Sequence, residues 1–514
     1  MKKYLFFPLI CFAILLNSTC SKKIEYTLRM PAENLLNNYN IISSTESITQ
    51  LILNNIHATL IEYNNGLYTG DTAHNWFTPE QGKYSFILKN DIKFSDGRSL
   101  NAIDVKDSYE LMAQHPLSRF IKKVTIDSII IIDHKSLDIY SNEPLTVIRE
   151  FFANVGILKS EDINKGEDYL CNCATAGIYF IYSNTDTLLI LKKNKFHRDY
   201  KKNKLAPDNI ELILQPIKTL EYDMLINNQV DFIQYIPMSL FKQAYTDKNY
   251  HIIEKETGII TYLALNATTP YLDTIKPISI SSNQSFQNPL KNKNVRQAIA
   301  HAIDIKYFLN ELLLMKANYL IIPALREKFG YPTDIDCYSY DLDLSKSLMN
   351  QAGYNEGFVM TINANEGFLY SQIAHFIEES LKNINIIVNT NIISPQDLVA
   401  INPNRAAGIY TMVDNHETRL ANSLRLWFYY DQNAPRQNRF KNYNQNINLL
   451  LDKLRIIEDT DPEAPLLYNE LTNIIIDETF IIPIMNHLDI YLLNKKFNYL
   501  DSNELKFTNF IIAK

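Results

Sequence analysis

The stretch Lys89-Asn-Asp-Ile-Lys-Phe-Ser-Asp-Gly-Arg-Ser-Leu-Asn-Ala-Ile-Asp-Val-Lys106 decides how this chain is read. Just ahead of it, Tyr84-Ser-Phe-Ile-Leu88 has the mixed apolar pattern of a strand packed on one or both faces. Ser95-Asp96-Gly97 is turn chemistry, with Gly97 free to take the positive φ that side chains resist. Asn101 suits a helix N-cap, and Asp104 three residues on reaches back to it or complements the helix dipole. Val105, Tyr109 and Met112 then recur at helical spacing. The segment predicts a strand, a tight turn and a capped helix in close succession.

Working outward, strand-like and helix-like segments alternate along the whole chain, which points to α/β lobes. Residues 124–132 and 136–140 read as a hairpin around Asp133-His134-Lys135, and 187–191 and 210–214 as further strands. An apolar strand at 262–266 ends before Pro270, and a long loop follows as far as Pro289. Residues 294–304 form an amphipathic helix with Val295, Ile299, Ala302 and Ile303 on one face, continuing to Leu312. A shorter helix runs over 343–353, with Asp343 as its N-cap and Gly353 at C′. Ile373, Phe376, Ile377, Leu381 and Ile384 mark another helix that leads into a strand at 386–388. The last strand-like pieces are 480–482 and 491–493.

Taken together, these phrases resemble those of the family 5 extracellular solute-binding proteins, the oligopeptide and dipeptide receptors of bacterial ABC importers. The opening stretch resembles the family's "I-K-F-S-D-G-x-P-L-T-A-x-D-V". Asn294-Val-Arg-Gln-Ala-Ile-Ala-His-Ala-Ile-Asp304 is nearly word for word "V-R-Q-A-I-x-x-A-I-D". Thr175-Ala-Gly-Ile-Tyr179, Asn227-Asn-Gln-Val-Asp231 and Tyr262-Leu-Ala-Leu-Asn266 resemble "G-T-G-P-Y", "x-x-G-E-V-D" and "Y-L-x-x-N". Weaker likenesses at Asn54, at 70–76 and at 343–354 bring the number to eight, all in family order.

The resemblance implies a periplasmic-binding-protein-like type II α/β fold, with two lobes about a hinged cleft and an extra subdomain. Lobe I would take 24–50, 175–265 and 488–514; the subdomain would be 51–174 and lobe II 266–487. It also implies a receptor that encloses a peptide or peptide-like solute and presents it to an ABC permease, with no reaction catalysed. The alternative is an envelope lipoprotein that keeps the fold but serves adhesion, sensing or partner binding. In the family an acidic residue, in a late loop resembling "G-W-x-A-D-Y-x-D-P", pairs with the peptide's ammonium group. Here the region reads Gly408-Ile-Tyr-Thr-Met-Val-Asp-Asn-His-Glu-Thr-Arg-Leu420, without that tryptophan or that phrase. The candidate ligand-binding residues are therefore Asp414, Asn415, His416, Glu417 and Arg419, with Trp427 as an aromatic wall or as lobe core.

Composition narrows the setting. A chain of 514 residues with 46% hydrophobic and 21% charged residues is a globular protein of two or three domains. Lys2 and Lys3 followed by an apolar run to Leu16 read as a signal peptide over 1–19, and Cys20 as a lipidated cysteine. Asn17 and Thr19 depart from the usual lipoprotein box. The expectation is an exported protein, periplasmic or at the cell surface, held to the membrane by a lipid anchor and monomeric. A net charge of −7 without basic runs argues against nucleic acid. Cys171, Cys173 and Cys337 remain, either as thiols or with one of the pair joined to Cys337. No nucleophile elbow, zinc-protease motif, Walker loop or dinucleotide fingerprint occurs, so no cofactor, catalytic residue or metal site is expected.

Overall fold

The structure, a computed structural model, describes residues 25–35, 47–64, 67–116, 118, 124–163, 165, 173–236, 240–268, 275–277, 287–312, 317–333, 335, 338–394, 407–414, 419–431, 442–501 and 505–513. Cys20 with the segment before it, Cys171, Cys337, Asn415, His416 and Glu417 lie outside the described residues. Cys173 is buried.

The opening segment folds as its residues predict. Strand Lys83–Leu88 leads through the turn to helix Ala102–Gln114. The Asn101 side chain accepts from the N–H groups of Ile103 and Asp104, while the Asp104 carboxylate accepts the Asn101 N–H at 2.8 Å, a complete capping box. Gly97 has φ +92°. The turn is fastened on both sides. Ser95 N–H donates to Thr175 O at 2.8 Å. The Arg98 guanidinium lies over the Phe94 ring and bridges Asp104 and Glu161.

Three main sheets carry the fold. One is antiparallel, in the order Ala73–Glu80, Lys83–Leu88, Ser136–Tyr140, Ser128–Asp133. A second runs Thr27–Ala32, Asn209–Leu214, Leu188–Lys193, Tyr179–Asn184, with the first pair parallel. These two share one core, which includes Leu28, Phe86, Tyr109, Phe151, Leu191 and Phe232. The third is an eight-stranded sheet in the order Phe232–Ile233, Ile481–Asn494, Tyr250–Leu265, Ala407–Val413, Phe358–Asn365, Ile275–Pro277, with Ala317–Asn318 and Ile386–Ile393 as side branches. It is covered on both faces, as an α/β layer requires. Helices Lys293–Ala302, Leu342–Gln351 and Phe368–Lys382 pack with Ile362 and Ile409 on one side. Helices Leu420–Phe428, Gln445–Ile456 and Ala464–Glu478 pack with Tyr262 and Tyr410 on the other.

Four local expectations change. The helix expected to run from 294 to Leu312 stops at Ala302, because Asp304 turns to cap Tyr307 N–H at 2.9 Å. A short helix and a π-helical turn, Phe308–Leu312, then complete that stretch. The N-cap of the next helix is Asp341 and not Asp343, its side chain accepting Leu344 N–H at 2.8 Å. The two strand pieces at 480–482 and 491–493 are parts of one 14-residue strand, Ile481–Asn494. Likewise the strand at 262–266 is the last third of the 16-residue strand Tyr250–Leu265.

Candidate ligand cleft

Those two long strands make the site possible. They pair antiparallel over most of their length, and each belongs to both halves of the molecule. Residues 250–256 of one pair with 488–494 of the other beside Phe232–Ile233, within reach of the core shared by the first two sheets. Residues 260–264 pair with 481–486 inside the doubly covered sheet. Between the two registers the pairing slips at Glu256/Ile260, a β-bulge that contains Gly258 at φ +70°. A bulge bends and twists a strand locally, so this is where the two halves change direction relative to each other.

Strand direction brings the chemistry to the same place. Val413 pairs with Ile259, so strand Ala407–Val413 ends at the bulge. Phe358–Asn365 runs parallel to it and Ile386–Ile393 parallel to that, so all three direct their carboxyl ends there. In α/β sheets ligands bind beyond the carboxyl ends of the strands. Beside the bulge the His487 imidazole meets Thr261 Oγ1 at 2.8 Å, and Thr261 lies 3.4 Å from Thr411, whose hydroxyl is 2.9 Å from that of Tyr370. Burial lowers the His487 pKa to about 4, which keeps this row uncharged at neutral pH.

The other half adds charge. After strands Thr27–Ala32 and Asn209–Leu214 come Glu33 and Lys218, paired at 2.8 Å. Lys218 is raised in pKa by its hydrogen bond to Glu33 and also feels Glu221 and Asp489. Asp489 stands on the crossing strand and accepts the Tyr491 hydroxyl at 3.0 Å. Its side chain reaches solvent, yet the surrounding protein raises its pKa by desolvation, against Tyr491 and Lys218. Glu221 is likewise raised by burial, while the N–H groups of Gln234 and Tyr235 oppose that rise. One lysine is thus paired with Glu33 and acted on by two further carboxylates.

The residues expected to hold ligand have other neighbours. Asp414 is buried, its carboxylate accepting Leu325 N–H at 2.7 Å and pairing with Lys328 at 3.0 Å. Its own N–H donates to Gly258 O at 2.7 Å, which fastens the strand end to the bulge. Arg419 is buried too, pairing with Asp459 at 2.7 Å and donating to the carbonyls of Leu454 and Ile457. Trp427 packs edge-on against Tyr262 at 4.8 Å inside the lobe core. Asp414 and Arg419, the described residues on either side of 415–418, are thus both held by partners of their own, and Trp427 belongs to the lobe core. Sequence reasoning passed over Thr261, Thr411, Tyr370, His487 and Asp489. The polar interruption Asn486-His487-Leu488-Asp489 within an otherwise apolar strand is the signal that points to them.

Arg296 is buried against Glu478 at 2.7 Å and donates to the Leu290 carbonyl, which gives it a packing role. Among the described residues no group of three or more His, Cys, Asp and Glu is placed to hold a metal ion. Among them, too, no helix is long and apolar enough to cross a membrane.

Comparison with known proteins agrees over most of the chain. The family model of bacterial extracellular solute-binding proteins, family 5 middle, matches residues 68–445. The probable D,D-dipeptide-binding periplasmic protein DdpA of Escherichia coli K12 is 21% identical over 461 residues, covering 85% of this chain and 81% of that protein. The oligopeptide-binding protein AppA of Bacillus subtilis 168 is 22% identical over 347 residues, covering 62% of this chain and 59% of its own length. Among solved structures, the unliganded open form of the periplasmic murein tripeptide binding protein MppA superposes with a TM-score of 0.80 at 14% identity, over 95% of this chain and 98% of that one.

Proposed function

This chain belongs to the family 5 bacterial extracellular solute-binding proteins, and from that premise we propose that it is the receptor of an ABC importer for peptides or peptide-like solutes. The observation that carries the reading is the paired crossing strands with strand ends gathered at their bulge. Two rigid halves joined by a narrow connection close about a ligand that touches both. The neutral row His487–Thr261–Thr411–Tyr370 offers donors and acceptors to amide groups, and the carboxylates around Lys218 favour a cationic terminus. On this reading Asn415, His416 and Glu417 touch the ligand, with Glu417 facing its ammonium group. Asp414, Arg419 and Trp427 are engaged with Lys328, Asp459 and Tyr262 and serve the fold. The ligand-loaded form docks on a membrane permease. The chain acts as a monomer outside the cytoplasm, exported by the 1–19 signal and anchored through a lipid on Cys20.

A thermal-shift screen with free, N-acetylated and C-amidated di- to pentapeptides, plus nickel and haem, tests this. Free peptides should raise Tm, and N-acetylation should abolish the rise. Glu417→Gln should keep the ligand-free Tm but lose the peptide response, while Asp414→Asn should lower the ligand-free Tm because it removes the opposite charge from the buried Lys328 ammonium. Silence across the peptide panel would overturn the receptor reading and leave the envelope-lipoprotein alternative. Palmitate labelling that survives Cys20→Ser would remove the anchor from the account.

A further inference from the structure

The two halves of the molecule touch at a second place, away from the crossing strands. Helix Leu145–Asn154 belongs to the half with the shared core, and helix Gln445–Ile456 to the doubly covered sheet. The Thr146 hydroxyl donates to the Arg455 carbonyl at the last turn of the second helix. Arg149 pairs with Glu458, and Arg455 reaches back to Glu143 at 3.1 Å. Each side therefore contributes one arginine and one carboxylate.

Both sides are braced. Arg149 lies over the Tyr68 ring at 5.0 Å, and Tyr68 donates to Glu150 at 3.1 Å. On the receiving side the buried Arg419 holds the Leu454 and Ile457 carbonyls and Asp459, fixing the turn on which Arg455 and Glu458 stand. Tyr63 has its pKa raised by burial and then by Asp459, Glu150 and Glu327, carboxylates drawn from both halves.

We propose that this reciprocal pair of ion pairs is a clasp that sets the resting angle between the two halves in the absence of ligand. A rotation about the bulge must shear pairs that each join a more buried side chain, 18% exposed at Arg149 and at Glu143, to a more exposed one, Glu458 at 34% and Arg455 at 42%. Exposed pairs contribute little singly, but a braced, reciprocal set moves the balance between arrangements that differ by only a few kcal/mol. Salt weakens such pairs, so the resting angle is sensitive to ionic strength.

Small-angle X-ray scattering of the ligand-free protein tests this without any ligand, so its outcome is independent of the receptor reading. Arg149→Glu and Glu458→Arg should each shift the interatomic distance distribution relative to the wild type, and the double exchange should return it. In 0.5 M NaCl, roughly a Debye length of 4 Å, the wild type should move toward the single variants. Glu143→Gln and Arg455→Gln, milder changes at partly exposed sites, should give the same direction if a reversal fails to fold. Wild-type scattering from folded single variants, or a double exchange that does not restore it, would overturn the clasp.

Discussion

At the residue scale, Asp104 shows how one side chain joins local and tertiary structure. Its fully buried carboxylate receives hydrogen bonds from Arg98, Asn101 N–H and Ser160 N–H, so it caps a helix and ties it to the segment ahead of Glu161. Burial would lower the Arg98 pKa, but Asp104 and Glu161 override that and hold it above its ordinary value. Asp104→Ala should therefore cost about 1–3 kcal/mol, the range for losing a helix cap and charge-assisted hydrogen bonds while Arg98 stays partly solvated and paired with Glu161, read from urea unfolding. A loss below about 1 kcal/mol would place the network outside the folded-state energetics. The capping role was legible from the spacing of Asn101 and Asp104. The partnership with Ser160 was not, because it joins residues that only packing brings together.

At the scale of elements, the crossing strands are what the sequence hid. Polar runs such as Glu254-Lys255-Glu256-Thr257 and Asn486-His487-Leu488-Asp489 break the alternation that identifies strands, so only their apolar ends were readable. The interruption has a physical reason: between the halves residues 254–257 and 487–489 are only partly covered or exposed. Gly258 marks the same place. A Cβ there would lie 2.7 Å from the Asp414 carbonyl, whereas one at Gly97 would meet only the Phe196 ring at 3.3 Å. Both glycines have positive φ, which alone costs an alanine about 1–2 kcal/mol. Gly258→Ala should thus be the more damaging by chemical denaturation, since the backbone of Asp414, which donates its N–H to Gly258 O, must move, whereas a ring can turn. Equal losses would show that the bulge adjusts freely.

At the scale of the molecule, stability should depend on pH through two desolvated histidines, one buried and one partly buried. Burial lowers both His57, in the shared core region, and His487, at the bulge, from 6.5 to about 4. Between those values the unfolded chain binds protons that the folded chain refuses, so stability is lost as pH falls from 6.5 toward 4. The slope is at most about 1.4 kcal/mol per pH unit for each histidine. Unfolding free energies of His57→Gln and His487→Gln between pH 7 and 4.5 should each show a shallower decline than the wild type. An unchanged slope in both would assign the acid response to carboxylates. The sequence by itself determined the α/β class and the strand–turn–helix unit at 89–106, because capping, turn chemistry and short-range periodicity are local; the family was legible only through the resemblance of its phrases to those of known solute-binding proteins. Only the tertiary structure decided which charges remain for a ligand. Asp414 and Arg419 look alike available in the chain, but they fold onto Lys328 and Asp459, whose positions depend on contacts from 40 to 86 residues away. The same holds for the opening stretch: its charged residues Lys89, Asp96, Arg98 and Asp104 tie it to Gly70 and Asp71 and to 159–161, and the bulge between the two long strands is something the local pattern could not reveal.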